Sequence, residues 1–145
     1  KKPQYQQMLL KGNEAISLGA IAAGLEFYVG YPISPATTIL VFMEHNLTGP
    51  GKVAHQVSSE IESITAILGA GFAGKKAMTA TAGPGFSLMS EGLGLAWMAE
   101  IPLVVADIQR GGLAYVFFQA FQSNPVVVVG THDLAGVVGG CIVDD

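Results

Sequence analysis

The sequence predicts an α/β fold, an open parallel sheet with helices on both faces. Three observations carry this expectation. Helical and strand patterns alternate four times, helix first, and such alternation implies parallel strands joined by crossover helices. The run "IPLVVADI" (101–108) reads as a buried strand, apolar almost throughout as strands covered on both faces are. The 145 residues are enough for one domain with a real core.

The elements follow in chain order. Asn13 is a good N-cap for "EAISLGAIAA" and Gly24 a good C′ residue, so residues 14–23 read as a helix. "LEFYV" is a short strand ending at Gly30. Ser34 as N-cap and Pro35 as first helical residue open a second helix, "PATTILVFMEHN". "KVAHQV" is the next strand. Ser59 with Glu62 three residues later has the capping-box pattern, and Ile61, Ile64, Ile67 and Leu68 supply a helical stripe. "KAMTAT" alternates apolar and polar residues and reads as a strand. "TAGPGFSLMSEGLGLAWMAE" turns into the last helix before residues 101–108.

The stretch "GAGFAGKKAMTATAGPG" (69–85) contains G-x-G-x-x-G in Gly69, Gly71 and Gly74. A nucleotide-binding module using Gly69–Lys76 is therefore one candidate. Phosphate loops, however, run from strand through glycines to a helix N-terminus, where free N–H groups meet the anion. Here the glycines close a helix, whose C-terminal carbonyls repel phosphate. Gly74 is better read as a helix stop, with Lys75 and Lys76 as cations against the negative helix end. Gly83 and Gly85 do lie between a strand and a helix, where backbone approaches a ligand or simply makes a tight turn.

In open parallel sheets ligands bind beyond the carboxyl ends of the strands. Four segments fall there: Tyr31–Ser34, His55–Glu60, Gly83–Gly85 and Gln109-Arg110. A hydroxyl, an acid, a glycine turn and a cation thus converge on one edge. Glu60 occupies a first helical turn, where the dipole favours a carboxylate; its plain alternative is a solvated cap-region acid. Arg110 reads equally as an ion-pair partner, and Ser34 as no more than a cap. His45, His55 and His132 lack metal-ligand spacing, and Met89, Trp97 and Met98 read as helix packing.

Charged residues make up only 12% of the chain, about half the usual 25%, which predicts that a partner or another part of a larger protein covers some surface. The net charge of −4 and the lack of a basic run speak against nucleic acid. Residues 125–143 are greasy but interrupted by His132, Asp133 and glycines, so no membrane span is expected. Cys141 is the single cysteine. It excludes a disulfide framework or a cysteine-based cluster within the chain and fits a reducing, cytoplasmic compartment. No signal-peptide core precedes the first helix.

"GNEAISLGAIAAGLEFYVGYPISPATTI" resembles the start of the alpha subunit of 2-oxoacid:ferredoxin oxidoreductases, with its G-N-x-A and Y-P-I-T-P segments. "SSEIESITAILGAGFAGKKAMTATAGPGFSLMSEGLGLAWMAEIPLVVADIQRGG" resembles the same subunit through its acidic helix start, its T-x-T-x-G-P-G turn and its Q-R strand end. Together these cover residues 12–112.

The resemblance implies a pyrimidine-binding domain of a thiamine diphosphate enzyme. By position Glu60 matches the glutamate that contacts the aminopyrimidine ring, favouring its imino tautomer, while the cofactor acts as electron sink for decarboxylation. Tyr31, Pro32, Gly83 and Pro84 fall at cofactor-binding positions. Ser34 and Arg110 match residues that hold the substrate, and an arginine fork suits the carboxylate of a 2-oxoacid. Ser34 departs from the usual threonine, and residues 113–145 do not follow the family's P-S-T-G-type continuation. Residues 1–112 are thus expected to form the domain core. Residues 113–145 would be the remainder of that domain, with the chain a piece of a longer subunit or two pieces joined across a missing loop.

No G-D-G occurs, so the Mg2+ and diphosphate are expected on a beta subunit carrying the diphosphate-binding domain. Iron–sulfur clusters are expected on that or on gamma/delta or ferredoxin-type electron-transfer subunits, with no metal site in this chain. Coenzyme A would be the co-substrate, giving an acyl-CoA, in a cytoplasmic hetero-oligomer. A transketolase-like enzyme and a non-catalytic assembly subunit of the same fold are the other readings.

Overall fold

The computed structural model describes residues 9–109 and 126–132. In order they form α1 (Gly12–Ala22), β1 (Phe27–Gly30), α2 (Thr37–Asn46), β2 (Val53–Gln56), α3 (Glu60–Phe72), β3 (Ala77–Thr81), α4 (Pro84–Leu88), α5 (Ser90–Met98), β4 (Leu103–Gln109) and β5 (Val126–His132). The five strands make one sheet in the order β2-β1-β3-β4-β5. Every adjacent pair is parallel, as the alternating pattern predicted. β5 was not anticipated: its Val-rich run lies in the greasy segment and was read only as too broken to span a membrane. Among the described residues no helix is long and apolar enough to cross a membrane.

Side-chain alternation sorts the core onto the two faces. Tyr28, Met78, Ala80, Ala106 and Ile108 point to one side and pack with Ile39, Leu40 and Met43 of α2, against which α1 also lies. Val29, Ala77, Leu103 and Val105 point to the other side, against Ile64, Ile67 and Leu68 of α3, Phe86 of α4 and Leu93 of α5. Burying each of these larger aliphatic side chains contributes roughly 1.5–3 kcal/mol. The helices therefore lie on both faces, as expected. Tyr28 is completely buried, and burial, with a smaller push from Glu44, holds its phenol far above the ordinary range.

Helix ends depart from the caps read in the sequence. α1 begins one residue before Asn13, and the Lys11 N–H donates to Glu14 Oε2 at 3.1 Å. Asn13 instead donates from Nδ2 to the Pro35 carbonyl (3.0 Å) and to Thr38 Oγ1 (2.7 Å), tying α1 to the start of α2. Glu14 supplies the local cap, so the carboxamide is free to bridge. Ser34 is likewise not a cap. The Ser34–Pro35 peptide is cis, residues 34–36 form a turn, and α2 starts at Thr37.

Gly74 does end α3, with φ +78° and the Lys75 N–H reaching back to the Ala70 carbonyl at 2.9 Å. The two lysines beyond it reach the end of α1 and the link from α1 to β1. Lys76 Nζ donates to the carbonyl of Ala23 at the end of α1 (2.8 Å), and Lys75 pairs with Glu26 at 2.8 Å. The glycines of 69–74 thus sit in and just after a helix, at the sheet edge opposite the strand carboxyl ends.

Candidate active site

The chain leaves β1 to build β2 on one side, then returns through α3 to build β3 on the other. The reversal opens a crevice beyond the carboxyl ends of β1 and β3, where ligands bind in such sheets. α3 packs across both of those strands. Its N-terminus is thereby carried back from the outer strand β2 to the crevice, and Glu60 is its first residue.

The start of α3 is tightly specified. Ser59 is extended, and its hydroxyl accepts the Glu62 N–H at 3.1 Å. Glu62 completes the arrangement on Ser58 rather than on Ser59. Its carboxylate accepts the Ser58 hydroxyl (2.6 Å) and N–H (2.7 Å), and these bonds, the hydroxyl first, hold it below the ordinary carboxyl range. Two glutamates in one helical turn therefore meet different fates. Glu62 is exposed and satisfied, whereas Glu60 is 7% exposed and its carboxyl accepts no hydrogen bond among the described residues.

Glu60 faces the glycine turn. A methyl group placed on Gly85 would stand 2.8 Å from Glu60 Oε1 and 2.9 Å from its Cγ, and would also strike Thr81 Oγ1. Only a residue without a side chain lets the α4 backbone come this close. Gly83 precedes it at φ +44°, Pro84 is the exposed first residue of α4, and Gly85 itself is buried. On the β1 side, Tyr31 packs partly buried against the α3 core and Pro32 is half-exposed. Ser34 is exposed, its hydroxyl not used for capping. Gln109 ends β4, and Arg110 lies outside the described residues.

The sequence reading missed Thr79, Thr81 and Asp107. All three are buried on the α3 side of the sheet, with Thr81 beside Asp107 in register. The alternation in "KAMTAT" marked a strand without saying what covers its polar positions, and all five residues of β3 are buried. The available signal was position: threonines in a central strand covered on both faces have hydroxyls that water cannot reach. Thr79 Oγ1 and Thr81 Oγ1 have no hydrogen-bond partner among the described residues. No group of three potential metal ligands occurs among the described residues.

A doubly wound parallel sheet with a buried carboxyl beyond its carboxyl ends is the architecture of α/β domains that bind ligands at the switch point. The chain belongs to the pyruvate flavodoxin/ferredoxin oxidoreductase, thiamine diphosphate-binding family, which it matches over residues 18–118. It is 53% identical over 103 residues to the 2-oxoglutarate synthase subunit KorA of Methanocaldococcus jannaschii, covering 71% of this chain and 28% of that protein. The ketoisovalerate oxidoreductase subunit VorB of Methanothermobacter thermautotrophicus is 41% identical over 126 residues, 86% of this chain and 36% of its own. Among solved structures, a 2-oxoglutarate:ferredoxin oxidoreductase from Magnetococcus marinus with 2-oxoglutarate, coenzyme A and succinyl-CoA bound matches with a TM-score of 0.69. It is 50% identical, and the match covers 73% of this chain and 18% of that one. The chain thus spans about a quarter to a third of the curated relatives' length (28% and 36%).

Proposed function

We propose that the chain is the pyrimidine-binding part of a thiamine diphosphate-dependent 2-oxoacid:ferredoxin oxidoreductase, which converts a 2-oxoacid and coenzyme A to an acyl-CoA and passes electrons to ferredoxin. The observation that carries this reading is Glu60, buried at the switch point and pressed against the Gly85 backbone beside a hydroxyl without a partner. These features fit the aminopyrimidine end of the cofactor. A carboxyl is available to a ring nitrogen, and the absence of a side chain at Gly85 lets the glycine turn close on that carboxyl. When bound, thiamine diphosphate supplies the electron sink that decarboxylation needs.

The residues of this chain have separate tasks. Glu60 holds a proton between its carboxyl and the ring nitrogen. Tyr31 and Pro32 from one side, and Gly83 and Pro84 from the other, wall the ring and exclude water. Ser34 donates to the substrate and Arg110 pairs with its carboxylate. The Mg2+ and diphosphate site, the clusters and the electron-transfer chain belong to partner domains or subunits, in keeping with the low charged fraction of 12%.

The test is viologen reduction by the assembled complex, dependent on both a 2-oxoacid and coenzyme A, with 2-oxoglutarate the first substrate to try. Ser34→Ala should raise KM for the 2-oxoacid about tenfold with kcat nearly unchanged. That is the pattern for losing a hydrogen bond made equally in ground and transition states. Absence of any 2-oxoacid-dependent reduction by the wild-type complex would refute the reading. Gly69–Lys76 supplies no rival site, because its N–H groups are spent in and around the end of α3 and, at Lys76, on the Glu26 carboxylate.

A further inference from the structure

We propose that Thr81 is the positioning residue for Glu60: its hydroxyl, which has no partner among the described residues, turns on ligand binding to donate to Glu60 Oε1 and leaves the second carboxyl oxygen, with the shared proton, directed at the ligand. The proposal rests on the reading of Glu60 as the ring contact. Three observations support it. Thr81 is fully buried in a strand covered on both faces, and its Oγ1 has no partner among the described residues. Leaving such a group buried without a partner is unfavourable, so for folding alone valine would suit this β position better. The hydroxyl also faces the same glycine as the carboxyl: a Cβ on Gly85 would meet both Thr81 Oγ1 and Glu60 Oε1, so the two oxygens flank one point.

The geometry of a carboxyl group makes this useful. Glu60 is the first residue of α3, and its side chain has three rotatable bonds. Its Cγ and Oε1 are fixed on one side by Gly85, but van der Waals contact alone does not set the rotation of the carboxyl plane. One hydrogen bond from β3 does. Ser59 and Glu62 fix where the helix begins, the Gly85 turn fixes the depth of the side chain, and Thr81 fixes which oxygen faces outward.

The experiment compares Thr81→Val, Thr81→Ser and Glu60→Ala in the full complex. Thiamine diphosphate affinity is read by titration calorimetry in the presence of Mg2+, and the Tm by calorimetry of the cofactor-free complex. Thr81→Val should weaken cofactor binding about tenfold, the scale for one lost hydrogen bond to a charged or proton-sharing group, with a Tm equal to or above wild type. Thr81→Ser should bind within about twofold of wild type. In the Glu60→Ala background, Thr81→Val should change affinity no further, because the two residues act as one unit.

Wild-type affinity in Thr81→Val, or a loss that serine does not restore, would overturn the proposal; so would additive losses in the double variant, which would mean that the hydroxyl acts without Glu60. If Glu60→Ala itself binds and turns over as wild type, the reading of Glu60 fails as well. If only the Thr81 variants are silent, that reading stands and this inference alone falls.

Discussion

Glu60→Gln is expected to lower kcat of the assembled complex by about 100-fold or more, the scale for removing a positioned proton-transfer group. KM for the 2-oxoacid should stay near wild type. Glutamine keeps the length and volume of the side chain, so the contact with Gly85 survives. It loses the ability to ionise and to share a proton with a ring nitrogen. The stability cost should be small, because two terms oppose each other. A carboxylate in the first turn of α3 gains about 0.3–1 kcal/mol from the helix dipole, and a neutral amide at a site 7% exposed is relieved of the burial of charge. The measurement is viologen reduction together with the Tm of the complex. Unchanged kcat would make this domain a non-catalytic scaffold.

Gly85→Ala should have the second-largest effect, and on two readouts at once. Its methyl would stand 2.8 Å from Glu60 Oε1, well inside contact distance, and would collide with Thr81 Oγ1. Overpacking of this kind costs typically about 1–3 kcal/mol, so the Tm should fall. The collision also pushes the carboxyl out of line, and a misplacement of about 1 Å at a reacting group costs on the order of 100-fold. Cofactor affinity and kcat should therefore both drop, although the variant removes no chemical group. Wild-type behaviour would show that the turn between β3 and α4 yields freely, contrary to a carboxyl held in place by packing.

The alternating architecture was legible because it depends on long patterns. The stripe of Ile64, Ile67 and Leu68 and the run 101–108 each report an environment that persists over several residues. So did the gathering of Glu60, Gly83–Gly85 and Tyr31–Ser34 on one edge, which follows from parallel strands alone. What failed was single-residue work. Asn13 looks like a cap because caps are what asparagines most often do, yet its partners, Pro35 and Thr38, lie more than twenty residues away in the chain. Lys76 stands next to the end of α3 in sequence but donates to the end of α1. Thr81 was missed because alternation reports that a strand has two faces, and says nothing about whether the polar one is covered. Contacts set by tertiary approach leave no periodic trace.

β2 is the outermost strand on its side, paired with β1 over four residues, whereas β4 and β5 are matched over seven. Val53, His55 and Gln56 are exposed. Local opening follows such differences, since free energies of opening range from near zero at thinly held segments to the global value in the core. Amide hydrogen exchange should thus be faster along Val53–Gln56 than along Leu103–Gln109. The strand that delivers Glu60 is then the first to breathe, and the carboxyl keeps its place through the grip of Ile64, Ile67 and Leu68 on the sheet. Loosening that grip several ångströms away would blur the site before it unfolded the domain.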